Sequence, residues 1–265
     1  MTGFIRKLLF VPVKKGISAL YPVVLGRHPR NTICSFNYHN VSHINRFIAS
    51  VEPSLNSSIC LIDIGAGKSP YYSFFSKKVS YYIAVDCTES LPVLEMRSIC
   101  QVEGVAECVP LMNSIADVVL SNQVLEHVND PEQAVREAYR LLRPGGRFIG
   151  SVPHISPVHL EPYDFRRYTD YGINKMLSNA GFIDIRIDLS GGVYSAAALM
   201  IAMDWVLSPR HENKPQGFSM NRAIALAPVI GFMNALAFML DKLSGVRASR
   251  SFANLCWSAE KPMGH

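Results

Sequence analysis

Leu61-Ile62-Asp63-Ile64 runs into Gly65-Ala66-Gly67, and Val85-Asp86 closes the next apolar run 21 residues after Gly65. An apolar run ending in glycines reads as a buried strand feeding a tight turn, where the missing side chains let a ligand approach the backbone. An acid at the end of the following strand can bond the hydroxyl pair of a ribose. The stretch therefore predicts nucleotide binding at the carboxyl edge of a parallel sheet. A tight turn beside an ordinary strand-end carboxylate is the plainer alternative that these residues leave open.

Outward from this stretch, short apolar runs alternate with helix-like ones from about residue 58 to 188, the pattern of a parallel sheet covered on both faces. Strands are expected at 58–64, 81–85, 99–102, 116–121, 147–152 and 183–188, with strand character returning at 253–260. Pro131 starts a helix in which Ala134, Val135, Ala138, Leu141 and Leu142 recur at helical spacing, and Pro144-Gly145-Gly146 is read as its stop. A second helix is expected over 170–180, ended by Gly181. Two apolar segments, 193–207 and 223–240, are separated by a polar loop at 208–221 and interrupt the sheet before its final strand. The expected plan is a basic N-terminal segment with a cap helix (1–51), a ligand-binding core (52–192), an apolar helical insertion (193–252), and the final strand with its tail (253–265).

Apolar types make up 49% of the 265 residues and charged types 18%, which excludes a disordered or fibrous chain. The six cysteines include no C-x-x-C pair and fit a reducing compartment. The net charge of +5 is uneven: residues 1–51 carry +7 without one acid, and the rest carries −2. Phe4, Leu8, Leu9, Phe10 and Val11, interleaved with Arg6, Lys7, Lys14 and Lys15, favour a membrane surface. A secretory signal is disfavoured by the short apolar run, by Pro12 and by the missing cleavage site. The 18 uncharged residues of 223–240 are near the minimum for a span, but Pro228, Gly231 and Asn234 argue against one, as does Asp204 in the partner segment. Peripheral membrane contact through 1–25 and 193–240 and a buried helical hairpin are both open readings.

The identity of the ligand follows from what is missing. A dinucleotide site wants a third glycine where the chain has Pro70, and Asp63 would repel a pyrophosphate yet accept a bond from an ammonium group. The expected ligand is cationic and free of phosphate. Here the chain resembles the class I S-adenosylmethionine-dependent methyltransferases, and within them the type 11 group. Asp63 to Gly67 is similar to their D/E-x-G-x-G motif, and Asp117-Val118-Val119-Leu120-Ser121-Asn122 to their fourth strand and its exit. Leu125-Glu126-His127-Val128, Asp130-Pro131 and the series Glu137, Arg140, Leu141, Leu142, Pro144, Gly145, Gly146 are similar to the group's L-E-H-V-x-D-P and R-x-L-x-P-G-G signatures.

The resemblance implies an α/β fold with a Rossmann-like, doubly wound seven-stranded sheet, six strands parallel and the last antiparallel, and S-adenosylmethionine as cofactor. It places Gly65, Ala66 and Gly67 against the methionine part, Asp63 near its ammonium, Asp86 on the ribose and Asn122 beside the sulfonium. Val105-Ala106 stands where the group often has an acid followed by alanine, with Glu107 two places later, so adenine is expected on backbone groups near Val105 and Ala106. His127 is read first as a packing histidine. A metal site like that of ubiquinone-type O-methyltransferases, E-x-x-E-H, is disfavoured because Gln123 replaces the first acid, and no metal is expected.

After the fifth strand, His154, His159 and Asp164 lie in a loop similar to the H-x-x-P-x-D-F-x-R-Y-T segment of bacterial type 11 enzymes. They are the candidate bases. Asp164 has a second reading, a salt bridge to Arg166 or Arg167, and Thr169 or Asp170 would cap the next helix. The expected function is in-line methyl transfer to a small hydrophobic or lipid-linked acceptor (glycan, quinone or lipid), in the cytoplasm with peripheral contact to the inner membrane face. The rivals are a non-catalytic binding protein of the same fold and a nicotinamide-dependent oxidoreductase. Nucleic-acid modification is disfavoured.

Overall fold

In a computed structural model, residues 16, 18–87, 99–207, 217–245 and 250–264 are described. The basic and apolar residues of 1–15, and most of the polar loop expected at 208–221, lie outside them. The chain forms two compact units. One contains 43–155, 162–190 and 254 onward; the other contains the chain up to 42, 156–161 and 191–253. The chain passes between them inside a helix, α1 (Tyr38–Val51).

The larger unit is built on β3 (Ile59–Ile64), β4 (Val79–Asp86), β5 (Ile99–Glu103), β6 (Ala116–Asn122), β7 (Leu142–Pro153), β8 (Ile183–Leu189) and β9 (Asn254–Glu260). Their order across the sheet is β5-β4-β3-β6-β7-β9-β8, and β9 is antiparallel to both of its neighbours. All six residues of β3 are buried, which is why it reads as an apolar run broken only at Asp63 rather than an alternating one. α1 lays Ile44, Phe47, Ile48 and Val51 against a core that includes Leu61, Tyr82 and Leu120. α2 (Tyr72–Phe75) follows the glycine turn, α3 (Pro131–Leu141) precedes β7 and α4 (Asp170–Asn179) precedes β8. Asp130 caps α3 by accepting from Gln133 N, and Thr169 caps α4 by accepting from Gly172 N.

The stop expected at Pro144-Gly145-Gly146 needs correction. α3 already ends at Leu141, because Leu142 turns extended to pair with Ala116. The proline and glycines then lie inside β7, at the register shift between Ala116 and Val118. A sequence signal that marks the end of a helix here marks an irregular start to a strand.

The smaller unit holds a two-stranded hairpin, β1 (Gly26–Arg27) with β2 (Arg30–Asn31), and two apolar helices, α5 (Val193–Val206) and α6 (Met220–Ser244). Its core gathers Leu25, Ala202, Val206, Ala223, Ala227 and Ile230. Asp241 of α6 accepts from the backbone N–H groups of Gly192, Tyr194 and Ser195, so an acid on one helix caps the start of the other. Burial alone would raise the pKa of Asp241, but the bonds from Ser195, Gly192 and Tyr194 outweigh it and hold the carboxyl below its ordinary value.

Candidate functional site

The order of the strands places the site. β3 lies between β4 and β6, so connections leave its two sides in opposite directions and a crevice opens beyond the carboxyl ends of β3 and β6. Ile64 pairs with Ser121, which brings the Gly65-Ala66-Gly67 turn beside Asn122-Gln123. Gly65 N and Ala66 N both donate to Val85 O, which ties the turn to the end of β4. Asp86 holds it from the same side: its Oδ2 accepts from Gly67 N at 2.7 Å and its Oδ1 from Cys87 N at 2.8 Å.

The two glycines serve different purposes. At Gly65 (φ +69°) an added Cβ would lie 2.4 Å from Val124 Cγ2, so both conformation and space demand glycine. At Gly67 (φ +49°) a Cβ would meet nothing within 4 Å. That open space borders a backbone N–H that Asp86 holds.

Asp63 is buried at the end of β3 and accepts a bond from Tyr82 Oη. Burial raises its pKa to about 7; the Tyr82 bond opposes the rise and the nearby Asp86 adds to it. An ammonium group placed beside it would favour the carboxylate, so binding a cationic amino acid there releases a proton below pH 7. We therefore expect affinity for S-adenosylmethionine to rise by up to about fivefold from pH 6 to 7, then fall above about pH 8 as the ligand's own amine loses its charge. Titrations in buffers of different ionisation enthalpy check this, and Asp63→Asn should flatten the acid limb.

Across the crevice, Ser151 Oγ donates to Asn122 Oδ1 at 3.0 Å, whereas the buried Asn122 Nδ2 has no partner. Gln123 (φ +55°) turns away and donates from Nε2 to Asn254 Oδ1 at 2.8 Å. Val105 O accepts from Cys108 N, and Ala106 is buried while Val105 is exposed. Glu107, beside the expected adenine position, accepts instead from Asn129 N and Asp130 N, so its carboxylate fixes the entry to α3. Glu137 and Arg140, two signature residues, form an ion pair whose members also bond Val109 N, Val109 O and Leu111 O. Their work is to bind the segment after β5 to α3.

The segment after β6 is fastened to the loop before α4. Phe165 N donates to Glu126 O, Tyr168 Oη donates to Leu125 O, and Arg166 reaches Val128 O and Asn129 O. His127 Nδ1 lies 2.8 Å from Tyr163 O, and a carbonyl only accepts, so Nδ1 carries the proton. Beside it the Glu126 carboxyl is fully buried, and neither oxygen has a hydrogen-bond partner. Burial, reinforced by the negative charge of Asp164 and opposed by Arg167, raises its pKa to about 8, so it is largely neutral at pH 7. Glu126 Oε1 lies 3.7 Å from His127 Nε2.

Of the three candidate bases, Asp164 needs correction. Its side chain is wholly buried, and both oxygens accept from Arg167, at 2.6 and 2.7 Å. Both oxygens are already engaged by the guanidinium rather than open to an acceptor. Asp164 belongs to the loop's ion pair, with Arg167 and not Arg166. His154 directly follows β7 on the carboxyl edge, with Nδ1 2.7 Å from Tyr168 O. By the same carbonyl argument Nδ1 is the protonated nitrogen and Nε2 the basic one. His159 lies in the smaller unit, its Nδ1 3.1 Å from Pro157 O.

Tyr82, Val124 and Ser151 were not singled out from the sequence. Val124 and Ser151 flank residues that were, so only pairing register reveals them. Tyr82 lies opposite Leu61 in the β3–β4 pairing, a position that reads as ordinary core. Among the described residues, a cavity of about 340 Å³ lined by Arg147, Arg186 and Glu260 sits at the amino edge of the sheet, away from the glycine turn.

A doubly wound sheet with this strand order, an antiparallel β9 and a glycine turn held by a strand-end acid define the class I methyltransferase fold. Residues 62–150 match the family described as a methyltransferase domain. A probable S-adenosylmethionine-dependent methyltransferase of Mycolicibacterium smegmatis is 34% identical over 125 residues, which are 45% of this chain and 46% of that protein. Malonyl-[acyl-carrier protein] O-methyltransferase 1 of Coxiella burnetii is 24% identical over 49% of each chain. The chain thus spans about half the length of these curated relatives. Among solved structures, phosphoethanolamine N-methyltransferase 2 of Haemonchus contortus, in complex with S-adenosyl-L-methionine, is similar in fold with a TM-score of 0.58 at 16% identity, covering 94% of this chain and 57% of that one. The [4+2]-cyclase SpnF has a TM-score of 0.56 at 15% identity, covering 84% and 82%.

The residues present fit the cofactor of that family, S-adenosylmethionine. The space above Gly67, the unpartnered Asn122 amide and the buried Asp63 supply a cradle, a donor and a seat for a positive charge.

Proposed function

We propose that this chain methylates a small hydrophobic or lipid-linked acceptor, a glycan, quinone or lipid, by in-line displacement. S-adenosylmethionine, when bound, supplies an activated methyl group. The remaining work falls to the protein: to hold acceptor and cofactor in line, to exclude water, and to take a proton where the acceptor carries one. The observation that carries this reading is the open cradle at Gly67, whose N–H is fixed by Asp86.

Gly65, Ala66 and Gly67 would hold the methionine part, Asp63 the ammonium, Asp86 the ribose, Asn122 the region of the sulfonium, and the backbone near Val105 and Ala106 the adenine. His154 is the better-placed base. It follows β7 directly, its ring is oriented by Tyr168 O, and β7 pairs with β6 through Ser151 and Asn122. His159 remains the second candidate. Replacing His154 by glutamine is expected to lower turnover by about a hundredfold or more while cofactor affinity stays within about twofold. Single-turnover kinetics beside calorimetry would check the split.

The six free thiols support a reducing cytoplasmic location. Incubation with methyl-labelled S-adenosylmethionine and separate lipid, glycan and small-molecule extracts tests the acceptor. Label entering the lipid or lipid-linked fraction supports the reading; label entering only water-soluble small molecules contradicts it.

A further inference from the structure

α6 is built inside out. Its 18-residue apolar window has a mean hydropathy of 2.1, yet only a third of that window is buried. The buried face consists mainly of small residues, Ala223, Ala227, Gly231 and Ala237, together with the helix's polar groups Asn234 and Asp241. Asn234 Nδ2 donates to Ile33 O and Ser35 O, and Asp241 caps α5. Ile230 is the one large apolar side chain buried with them, and the most exposed large side chains lie elsewhere on the helix. Val229, Phe232, Leu236, Met239 and Leu243 follow one another at alternating steps of three and four and form one exposed stripe, Phe232 at 72% and Leu243 at 77% exposure. A helix facing water on one side arranges its residues in the opposite sense. Small and polar residues turned inward, with bulky apolar ones outward, suit an environment as apolar as the side chains themselves.

Charge selects the occupant of this face. In the same unit Arg27, Arg30, Arg222, Lys242 and Arg250 are exposed, whereas Asp204 is the one exposed acid among that unit's described residues. Arg222 lies on the same helix before the stripe and Lys242 beside its last member, Leu243. In the sequence, residues 1–15, which lie outside the described residues, carry Arg6, Lys7, Lys14 and Lys15 and no acid. We propose that the outward face of α6 docks on an anionic lipid bilayer, with the stripe among the acyl chains and the basic residues at the headgroups.

The helix lies in the interface rather than crossing it. α5, with 14 residues, reaches about 21 Å, short of the roughly 30 Å hydrocarbon layer. α5 follows β8 and α6 precedes β9, and these two strands pair in one sheet, so a single crossing would strand the chain on the wrong side. This surface is argued independently of methyl transfer.

The test uses the full chain with phosphatidylcholine vesicles, with and without phosphatidylglycerol, at low and high salt. Co-sedimentation with the phosphatidylglycerol vesicles, weakened by salt, is expected. The double variant Phe232→Ser/Leu243→Ser, whose side chains are largely exposed, should reduce binding by about tenfold or more. Its circular dichroism and its affinity for S-adenosylmethionine should match wild type. Vesicle binding that is absent in the wild-type chain or unchanged in the variant would overturn the proposal. So would a concentration-dependent dimer, lost in the variant and formed without vesicle binding, because a second copy would then cover the stripe.

Discussion

Replacing Asp86 by alanine is expected to weaken binding of S-adenosylmethionine by a hundredfold or more while the protein remains folded. The carboxylate has two tasks in one place. It fixes the backbone of the glycine turn, accepting from Gly67 N and Cys87 N, and it ends β4 at the edge where a ribose would lie. Hydrogen bonds to a charged group contribute about 1.5–3 kcal/mol each, and losing one to the ligand together with the order of the turn reaches the stated factor. Asp86→Asn keeps one oxygen acceptor and should fall between the two. Calorimetric titration of all three proteins gives the ranking, and wild-type affinity in the alanine variant would remove Asp86 from the site.

Gly65→Ala is expected to act on the fold instead. The residue sits at φ +69°, where a side chain costs roughly 1–2 kcal/mol, and its Cβ would stand 2.4 Å from Val124 Cγ2. Forcing a methyl into so tight a place adds about 1–3 kcal/mol. For a chain of this length the sum corresponds to a fall in Tm of roughly 5–15 °C. Adding Val124→Ala to the variant removes the colliding atom and should restore part of the loss, whereas the conformational cost remains. Gly67→Ala makes the contrast. It meets no atom but keeps the conformational cost of a positive φ (+49°), roughly 1–2 kcal/mol, so it should melt a few degrees below wild type, less far than Gly65→Ala, and lose cofactor affinity by filling the space beside it. If thermal unfolding and titration show the same profile for both variants, the division of roles between the glycines is wrong.

The site was legible where chemistry dictates residue type at short range. Asp63, the two glycines and Asp86 stand on consecutive strands, and their spacing already places them at one edge. β3 was legible because burial on both faces writes an apolar run broken only at Asp63. β7 was not. Its first residues, Leu142 to Gly146, carry helix-stopping types, and only pairing with β6 makes them a strand. Asp164 was ambiguous because an acid three residues before an arginine serves equally as a base or as an ion-pair partner; the choice depends on burial, which the sequence does not state. Glu126 shows the same limit, since nothing in Leu125-Glu126-His127-Val128 announces a carboxyl buried without a partner. The two apolar helices were visible as segments, but α6 is apolar all round. Which side faces inward appears only from Asn234 and Asp241, whose partners lie as far off as Ile33 and Gly192.

The central claim is that the turn at Gly65-Ala66-Gly67 holds a sulfonium nucleoside. Calorimetric titration of the full chain with S-adenosylmethionine, with a nicotinamide dinucleotide as competitor, measures it most directly. We expect one site per chain for S-adenosylmethionine, abolished by Asp86→Ala, and no heat from the dinucleotide. Saturable binding of the dinucleotide with none of S-adenosylmethionine would contradict the account.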